Sequence, residues 1–291
     1  MKILVTGARG FTGRHFIRAA QAAGHSAVPL DCDLTQAEAV AAQVDALDFD
    51  SVVHLAGIAF VGHADDRAFY DVNLFGTLNL LDAVHKRGKP LRKVLVASSA
   101  NVYGNCEQSP IPESQPPSPV NHYAMSKLAM ECMARARFGS LPLVMTRPFN
   151  YTGPGQSPDF LVPKLVDHFV RRAPVVKLGN LDVRREYNDV RFLCDAYFRL
   201  LDSSAFGTFN VCSSRTYSIR ELVAELSRLS NHTIEIEVDP ALVRRNEIHE
   251  LSGDPSRLVE AVGQPATHPI EDTLSWMLGE ARAQSDSKRA H

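Results

Sequence analysis

Tyr123 and Lys127 stand four residues apart in Tyr123-Ala124-Met125-Ser126-Lys127, so on a helix they share one face. A tyrosine alone titrates near ~10 and is a poor acid or base at neutral pH. A nearby ammonium favours the phenolate and is expected to lower that value. The lysine can also hydrogen-bond a cofactor ribose. Ser99 ends the apolar run Lys93-Val94-Leu95-Val96-Ala97 and can hold the same carbonyl or alcohol oxygen that the tyrosine protonates. A serine, a tyrosine and a lysine beside a nicotinamide suffice to move a proton while the cofactor moves a hydride. By itself the Tyr–Lys spacing is common by chance and usually marks an exposed helix face. Its weight comes from what surrounds it.

The first thirteen residues supply that context. Ile3, Leu4 and Val5 read as a buried strand, glycines follow at 7, 10 and 13, and Arg14 to Ala23 reads as a helix. A strand feeding a helix through a glycine turn gathers backbone N–H groups and the positive helix end at one point, which suits a pyrophosphate. Gly7 permits the tight turn, Gly10 close approach to the phosphates, and Gly13 close packing of helix on strand. Glycines also mark ordinary turns, but here the strand before and the helix after are both present. Asp31 ends a second strand, Ala27-Val28-Pro29-Leu30, at the place where an acid usually grips the adenosine ribose. A turn or N-cap aspartate is the plain alternative, and Asp33 competes for either role. The link Asp31-Cys32-Asp33-Leu34 is unusually short before the next helix, Gln36 to Leu47.

The elements that must position these residues alternate strand and helix, the mark of a parallel sheet. Ser51 to Gly57 reads as a buried strand whose small end, Leu55-Ala56-Gly57, lets a flat cofactor lie across the sheet. His54 on that strand reads as a hydrogen-bonded core histidine. One long helix is expected over 65–86, with Phe69, Val72, Phe75, Leu78, Leu81 and Val84 on its apolar face and Leu74 and Leu80 off it. A helix apolar on two sides can pack on the sheet and on a partner subunit, or be buried within one chain. Helix Tyr123 to Phe138 and strand Leu143 to Thr146 follow a proline-rich loop. Beyond residue 150 the loops lengthen and arginines collect; most of these suit a solvated basic face. The expectation is an α/β, doubly wound Rossmann parallel sheet over 1–150, a smaller C-terminal substrate-binding lobe over 151–283 with the chain crossing back, and a frayed tail over 284–291.

Composition sets limits. A net charge of −2 with 45% hydrophobic residues describes an ordinary globular protein and does not point to nucleic acid or an anionic membrane. The 5 cysteines are scattered, without C-x-x-C spacing, which fits a reducing compartment and neither a disulfide framework nor a zinc site. No apolar run approaches the ~20 residues that span a bilayer, and no signal peptide precedes the first strand. A cytoplasmic protein without a metal is expected.

Six motifs in order, Thr6-Gly-Ala-Arg-Gly-Phe-Thr-Gly13, His54-Leu-Ala-Gly57, Asn73-Leu-Phe-Gly-Thr77, Ser98-Ser-Ala-Asn-Val-Tyr-Gly104, Tyr123-x-x-x-Lys127 and Arg147-Pro-Phe-Asn150, resemble the extended short-chain dehydrogenase/reductases: nucleotide-sugar epimerases, dehydratases and reductases. The resemblance runs from residue 1 to about 280. It implies a nicotinamide cofactor held by Gly7, Arg9, Gly10, Phe11, Thr12, Gly13, Asp31, Asp33, Leu34, Leu55, Ala56, Gly57, Asn73, Tyr123, Lys127 and Pro148. It implies Ser99, Tyr123 and Lys127 as catalysts. A nucleoside diphosphate sugar would lie against Ser99, Ala100, Asn101, Asn150, Arg185, Arg245 and Glu247, the arginines on the nucleotide. A homodimer through the 65–86 and 123–138 helices is implied as well.

Within that family the chain looks most like the reductases of 4-keto-6-deoxyhexoses, GDP-linked first and dTDP-linked second, which serve surface polysaccharide synthesis. In the 4,6-dehydratases the position two after the catalytic Ser/Thr is a glutamate; here it is Asn101, and an amide cannot act as that base. A 4-epimerase with tightly bound NAD remains open. A nucleotide-sensing regulator on the same fold is the reading from another class, and the intact Ser99, Tyr123 and Lys127 speak against it. Arg9 in the glycine turn can pair with a 2′-phosphate, whereas Asp31 prefers a free 2′-hydroxyl. NADP(H) is therefore favoured, with NAD(H) possible.

Overall fold

The apolar run at the start forms β1 (Lys2–Thr6), buried from Ile3 onward. The computed structural model describes residues 1–243 and 248–289. Five further strands join β1 in one parallel sheet: β2 (Ser26–Pro29), β3 (Ser51–His54), β4 (Lys93–Ala97), β5 (Leu143–Pro148) and β6 (Gly207–Val211). Their order is β6-β5-β4-β3-β1-β2. From β2 the chain passes through α2 (Ala37–Ala46) and re-enters the sheet on the opposite side of β1, as β3. Among the described residues no strand pairs with the outer edge of β2. The order thus reverses between β1 and β3, and a crevice opens there at the carboxyl ends of the strands.

Side chains alternate across the sheet, as strand geometry requires. Leu4, Val52, Val94, Val96 and Met145 face one layer of helices, built by α2, α3 (Thr77–Lys86) and α4 (His122–Phe138). Ile3, Val5, Val53, Leu95 and Val144 face the other, built by α1 (Phe11–Ala22) and α6 (Val190–Asp202). Helices cover both faces, so the sheet is doubly wound. A separate apolar cluster joins α5 (Leu161–Val170), α7 (Ile219–Ser230) and α8 (Ile270–Arg289) with the paired strands Val175–Leu178 and Glu235–Val238. Helix α7 begins with a full capping box, Ser218 against Glu221, a motif whose N-cap hydroxyl contributes about 1 kcal/mol.

The expected single helix over 65–86 is a composite. An α-helical turn, Asp66–Ala68, leads into a π-helical segment, Phe69–Gly76, and then into α3. The wider turn shifts the register of the face that follows. Phe75, placed by the spacing on one apolar face with Phe69 and Leu78, is 54% exposed, whereas Leu80, placed off that face, is fully buried. The same segment turns Asn73 inward and seals Gly76 against the Cβ of Leu34. π-helical geometry is rare and occurs frequently at functional sites. Among the described residues no helix is long and apolar enough to cross a membrane, and no group of acidic, histidine or cysteine side chains could hold a metal ion.

Candidate functional site

The glycine turn closes under steric control. Gly7 has φ +66, and a Cβ there would lie 2.7 Å from the backbone nitrogen of Ala56. A Cβ on Gly13 would collide with the carbonyl of Gly7. Only hydrogen fits at either place, so α1 starts directly over the end of β1, beside the Leu55–Gly57 stretch. Helix α1 begins at Phe11, three residues earlier than the sequence suggests, because Gly10 serves as its N-cap and Gly13 lies inside it. Gly57 borders the same crevice: a Cβ there would stand 2.8 Å from Asn73 Oδ1 and 3.3 Å from Lys127 Nζ. A strand-to-helix glycine turn, a missing Cβ beside a lysine head and a switch point between β1 and β3 fit a dinucleotide.

A directed chain of hydrogen bonds fixes this floor. The backbone N–H groups of Leu55 and Ala56 each donate to Thr6 Oγ1 at 3.1 Å. Thr77 Oγ1 must donate to the Asn73 carbonyl, 2.7 Å away. It therefore accepts from His54 Nε2 at 2.7 Å, and His54 Nδ1 accepts from Thr6 Oγ1 at 2.7 Å. Burial pushes the His54 imidazole down to about 3, so it stays neutral with its proton on Nε2. His54 is a core histidine, as its strand position suggests.

Helix α4 starts where Asn121 Oδ1 accepts from the Ala124 N–H at 2.8 Å. That cap places Tyr123 in the first turn, at the positive end of the helix, and puts Lys127 one turn below it. Both side chains are buried. Lys127 Nζ donates to the Ala97 carbonyl at 2.9 Å, at the end of β4. Burial lowers the lysine to about 8, with Glu131 opposing the shift. Tyr123 moves the other way from the expectation. Burial raises its phenol, and a hydrogen bond from Ser99 lowers it only in part. Desolvation outweighs any help from an ammonium when phenol and lysine share a dry site. The phenol is held protonated.

Ser99 caps the 3-10 turn Ala100–Tyr103. Its Oγ accepts from the backbone N–H and from Nδ2 of Asn101, both at 3.1 Å. Two accepted bonds fill the hydroxyl's lone pairs, so its own hydrogen is left to donate, and it is directed to the Tyr123 phenol. Asn101 thus aims the Ser99 proton. Serine, phenol and ammonium converge at the carboxyl ends of the strands.

The remaining residues singled out from the sequence divide. Asn73 lines the crevice, but its Oδ1 accepts from Ile58 N at 2.8 Å and its Nδ2 donates to Ile58 O and Ser126 Oγ. It fastens the loop after β3. Asp33 Oδ1 accepts from the N–H and hydroxyl of Thr35, a local turn ahead of α2, and Leu34 is buried. Arg9 and Asp31, with opposite implications for the cofactor, form an ion pair with each other. Thr12 Oγ1 lies 2.8 Å from the Tyr151 hydroxyl, and Phe11 stacks on the same ring. Pro148 ends β5; Ala100 is buried and Asn150 is exposed. Arg185 donates to the carbonyls of Arg184 and Ile248. Arg245 and Glu247 lie outside the described residues.

Sequence reasoning passed over two features. Tyr151 joins the glycine turn to the chain beyond β5, and it sits directly after the Arg147-Pro-Phe-Asn150 motif. Glu131 and Arg147 form a buried bidentate pair behind Lys127, Nε to Oε1 at 2.9 Å and the terminal nitrogen to Oε2 at 2.7 Å. A glutamate four residues beyond Lys127 and an arginine on a buried strand are the signal that could have found it.

Comparison with known proteins agrees with this geometry. A family model described as the NAD dependent epimerase/dehydratase family matches residues 3–212. A GDP-6-deoxy-D-talose 4-dehydrogenase of Aggregatibacter actinomycetemcomitans is 37% identical over 90% of this chain and 92% of its own. A GDP-6-deoxy-D-mannose reductase of Pseudomonas aeruginosa is 35% identical over 96% of each chain. Among solved structures, RMD from Pseudomonas aeruginosa complexed with NADPH superposes with a TM-score of 0.89 at 32% identity, covering 98% of this chain and 100% of that one.

Proposed function

The chain belongs to the NAD dependent epimerase/dehydratase family, and on that footing we propose that it is an NAD(P)H-dependent reductase of a GDP-linked 4-keto-6-deoxyhexose. The observation that carries the reading is the buried cluster itself: a phenol kept protonated, a serine hydrogen aimed by Asn101, and an ammonium one helical turn away. Reduction of a ketone needs a proton donor at the moment the carbonyl oxygen becomes an alkoxide, and the Tyr123 phenol, protonated at neutral pH, is the group placed to be that donor. Asn101 offers no carboxylate to remove a proton from the sugar, which disfavours a dehydratase. The two curated relatives named above are both named for a GDP-linked 6-deoxyhexose. Talose and mannose differ only at C4, so hydride delivery to opposite faces of one 4-ketone gives either sugar.

In this mechanism the nicotinamide supplies the hydride. Residues of the glycine turn (Gly7, Gly10, Phe11, Thr12, Gly13) would hold its pyrophosphate, and Leu55, Ala56 and Gly57 would border it in the crevice. Ser99 donates to the ketone oxygen and holds it beside Tyr123. Tyr123 gives its proton to that oxygen, and the Lys127 ammonium and the helix end stabilise the phenolate left behind. Residues 151–283 supply most of the substrate lobe, the chain crossing back to the main sheet through α6 and β6; there Arg185, Arg245 and Glu247 meet the nucleotide, with Ala100, Asn101 and Asn150 towards the sugar. Five free cysteines suit a cytoplasmic enzyme. Phe75 on the π segment and Met125 and Met133 on α4 leave apolar surface exposed. A second copy of the chain covers it, which the mass in solution tests.

Purified enzyme given GDP-4-keto-6-deoxymannose should consume one reduced nicotinamide per alcohol formed. A 4-epimerase keeps its cofactor through the cycle and shows no net absorbance change. NADPH is the preferred donor because the Arg9 guanidinium can leave Asp31 for a 2′-phosphate, while Asp31 still accepts from the 2′-hydroxyl of NADH. Both Arg9 and Asp31 are more than half exposed, so their exchange is inexpensive. One charge-assisted contact is worth roughly 1.5–3 kcal/mol, or about one to two decades in kcat/KM. Arg9→Ala should remove that preference; an unchanged ratio of the two kcat/KM values contradicts it.

A further inference from the structure

We propose that Glu131, gripped by Arg147, is a positioning residue for Lys127 and for the turn that carries Ser99. This rests on the catalytic reading of Ser99, Tyr123 and Lys127. Glu131 follows Lys127 by one turn on α4, and its side chain is wholly buried. Both of its oxygens bind the Arg147 fork on β5. From the same guanidinium a further N–H donates to the Tyr103 hydroxyl at 3.0 Å. Tyr103 ends the 3-10 turn that Ser99 caps, and its hydroxyl donates to Asn210 Oδ1 on β6 at 2.8 Å. One continuous network therefore ties the helix bearing Tyr123 and Lys127 to the turn bearing Ser99, through two strands of the sheet.

Stability alone does not call for such a pair. A buried ion pair contributes little more than apolar side chains of the same volume, and often less. What it supplies is a fixed carboxylate beneath a lysine that burial would otherwise discharge. The charges facing Glu131 are the guanidiniums of Arg147 on β5 and Arg135 on α4, the latter donating to Oε2 at 3.2 Å. On α4 the neighbours of Lys127 are Tyr123 and Glu131; β3 presents neutral His54; the π segment presents the amide of Asn73; the end of β4 presents hydroxyls and the Ala97 carbonyl. Glu131 is the group that opposes the lysine's desolvation.

The test is the pH dependence of NADPH binding, followed by fluorescence, and of kcat/KM with GDP-4-keto-6-deoxymannose. In the parent both should fall through an alkaline limb near pH 8, where Lys127 loses its proton. Glu131→Gln should move that limb down by roughly one unit or more. Glu131→Gln combined with Arg147→Gln keeps two bonding amides, so it carries the test if the single variant fails to fold. Glu131→Asp, which retains the charge, should stay within a few tenths of the parent limb by this argument while kcat falls. A limb that stays put in the Gln variants, or moves equally in Glu131→Asp, overturns the proposal. Binding does not depend on the sugar. A parent inactive on the 4-keto sugar whose binding limb still shifts would refute the proposed substrate and leave the role of Glu131 standing.

Discussion

Tyr123→Phe should bind NADPH as the parent does and reduce the 4-keto sugar roughly 10²–10⁴-fold more slowly. The ring fills the same buried volume, so α4 and the floor of the crevice are undisturbed. Only the hydroxyl is lost. Ser99 can donate a hydrogen bond, but its alkoxide is too basic to be left behind. The effect belongs in kcat, because the phenol acts on a charge that develops only in the transition state. Stopped-flow reduction and cofactor titration on the same preparation check it. Parent-like turnover in Tyr123→Phe would mean that another group supplies the proton.

Lys127→Met should lose both turnover and cofactor affinity. The stem is replaced by one of similar length, but the ammonium is removed from Ala97 and from the phenol. One charge-assisted hydrogen bond is worth roughly 1.5–3 kcal/mol, so the Kd for NADPH should rise by about one to two decades. The same substitution has a signature in stability. Burial lowers Lys127 from 10.5 to about 8. Between those values the unfolded chain binds a proton that the folded chain does not, so unfolding becomes harder as pH rises through the window. The stability of the parent relative to Lys127→Met should therefore climb from about pH 8 to pH 10.5 and be level on either side. Denaturant titrations across that range measure it. A flat difference would place the lysine in water.

The parts of this site that were legible in the sequence rest on local steric demands. Gly7 and Gly13 are readable because no side chain fits where each one stands. The Tyr123–Lys127 pairing is readable because helical spacing alone puts them on one face. The short link after β2 was visible too, but that no strand pairs with the outer edge of β2 among the described residues came only from the strand order. The direction of the Tyr123 shift was not legible. A sequence shows the ammonium four residues away, but not that helix and strand together exclude water from both groups. Nor was the Arg9–Asp31 pair. The two residues looked like rivals until parallel pairing of β1 with β2 brought the following loops side by side. The π segment escaped for a different reason: one widened turn leaves hydrophobic spacing almost intact while rotating Phe75 into solvent.

The central claim is that hydride passes from an external nicotinamide to C4 of the sugar and that Tyr123 supplies the matching proton. Enzyme incubated with GDP-4-keto-6-deoxymannose and NADPH deuterated at the transferable position of C4 should yield a GDP-6-deoxyhexose with a single deuterium at C4 of the sugar, seen by mass spectrometry and NMR. Conversion of one 4-epimer into another without added cofactor, and without deuterium in the product, would contradict the account.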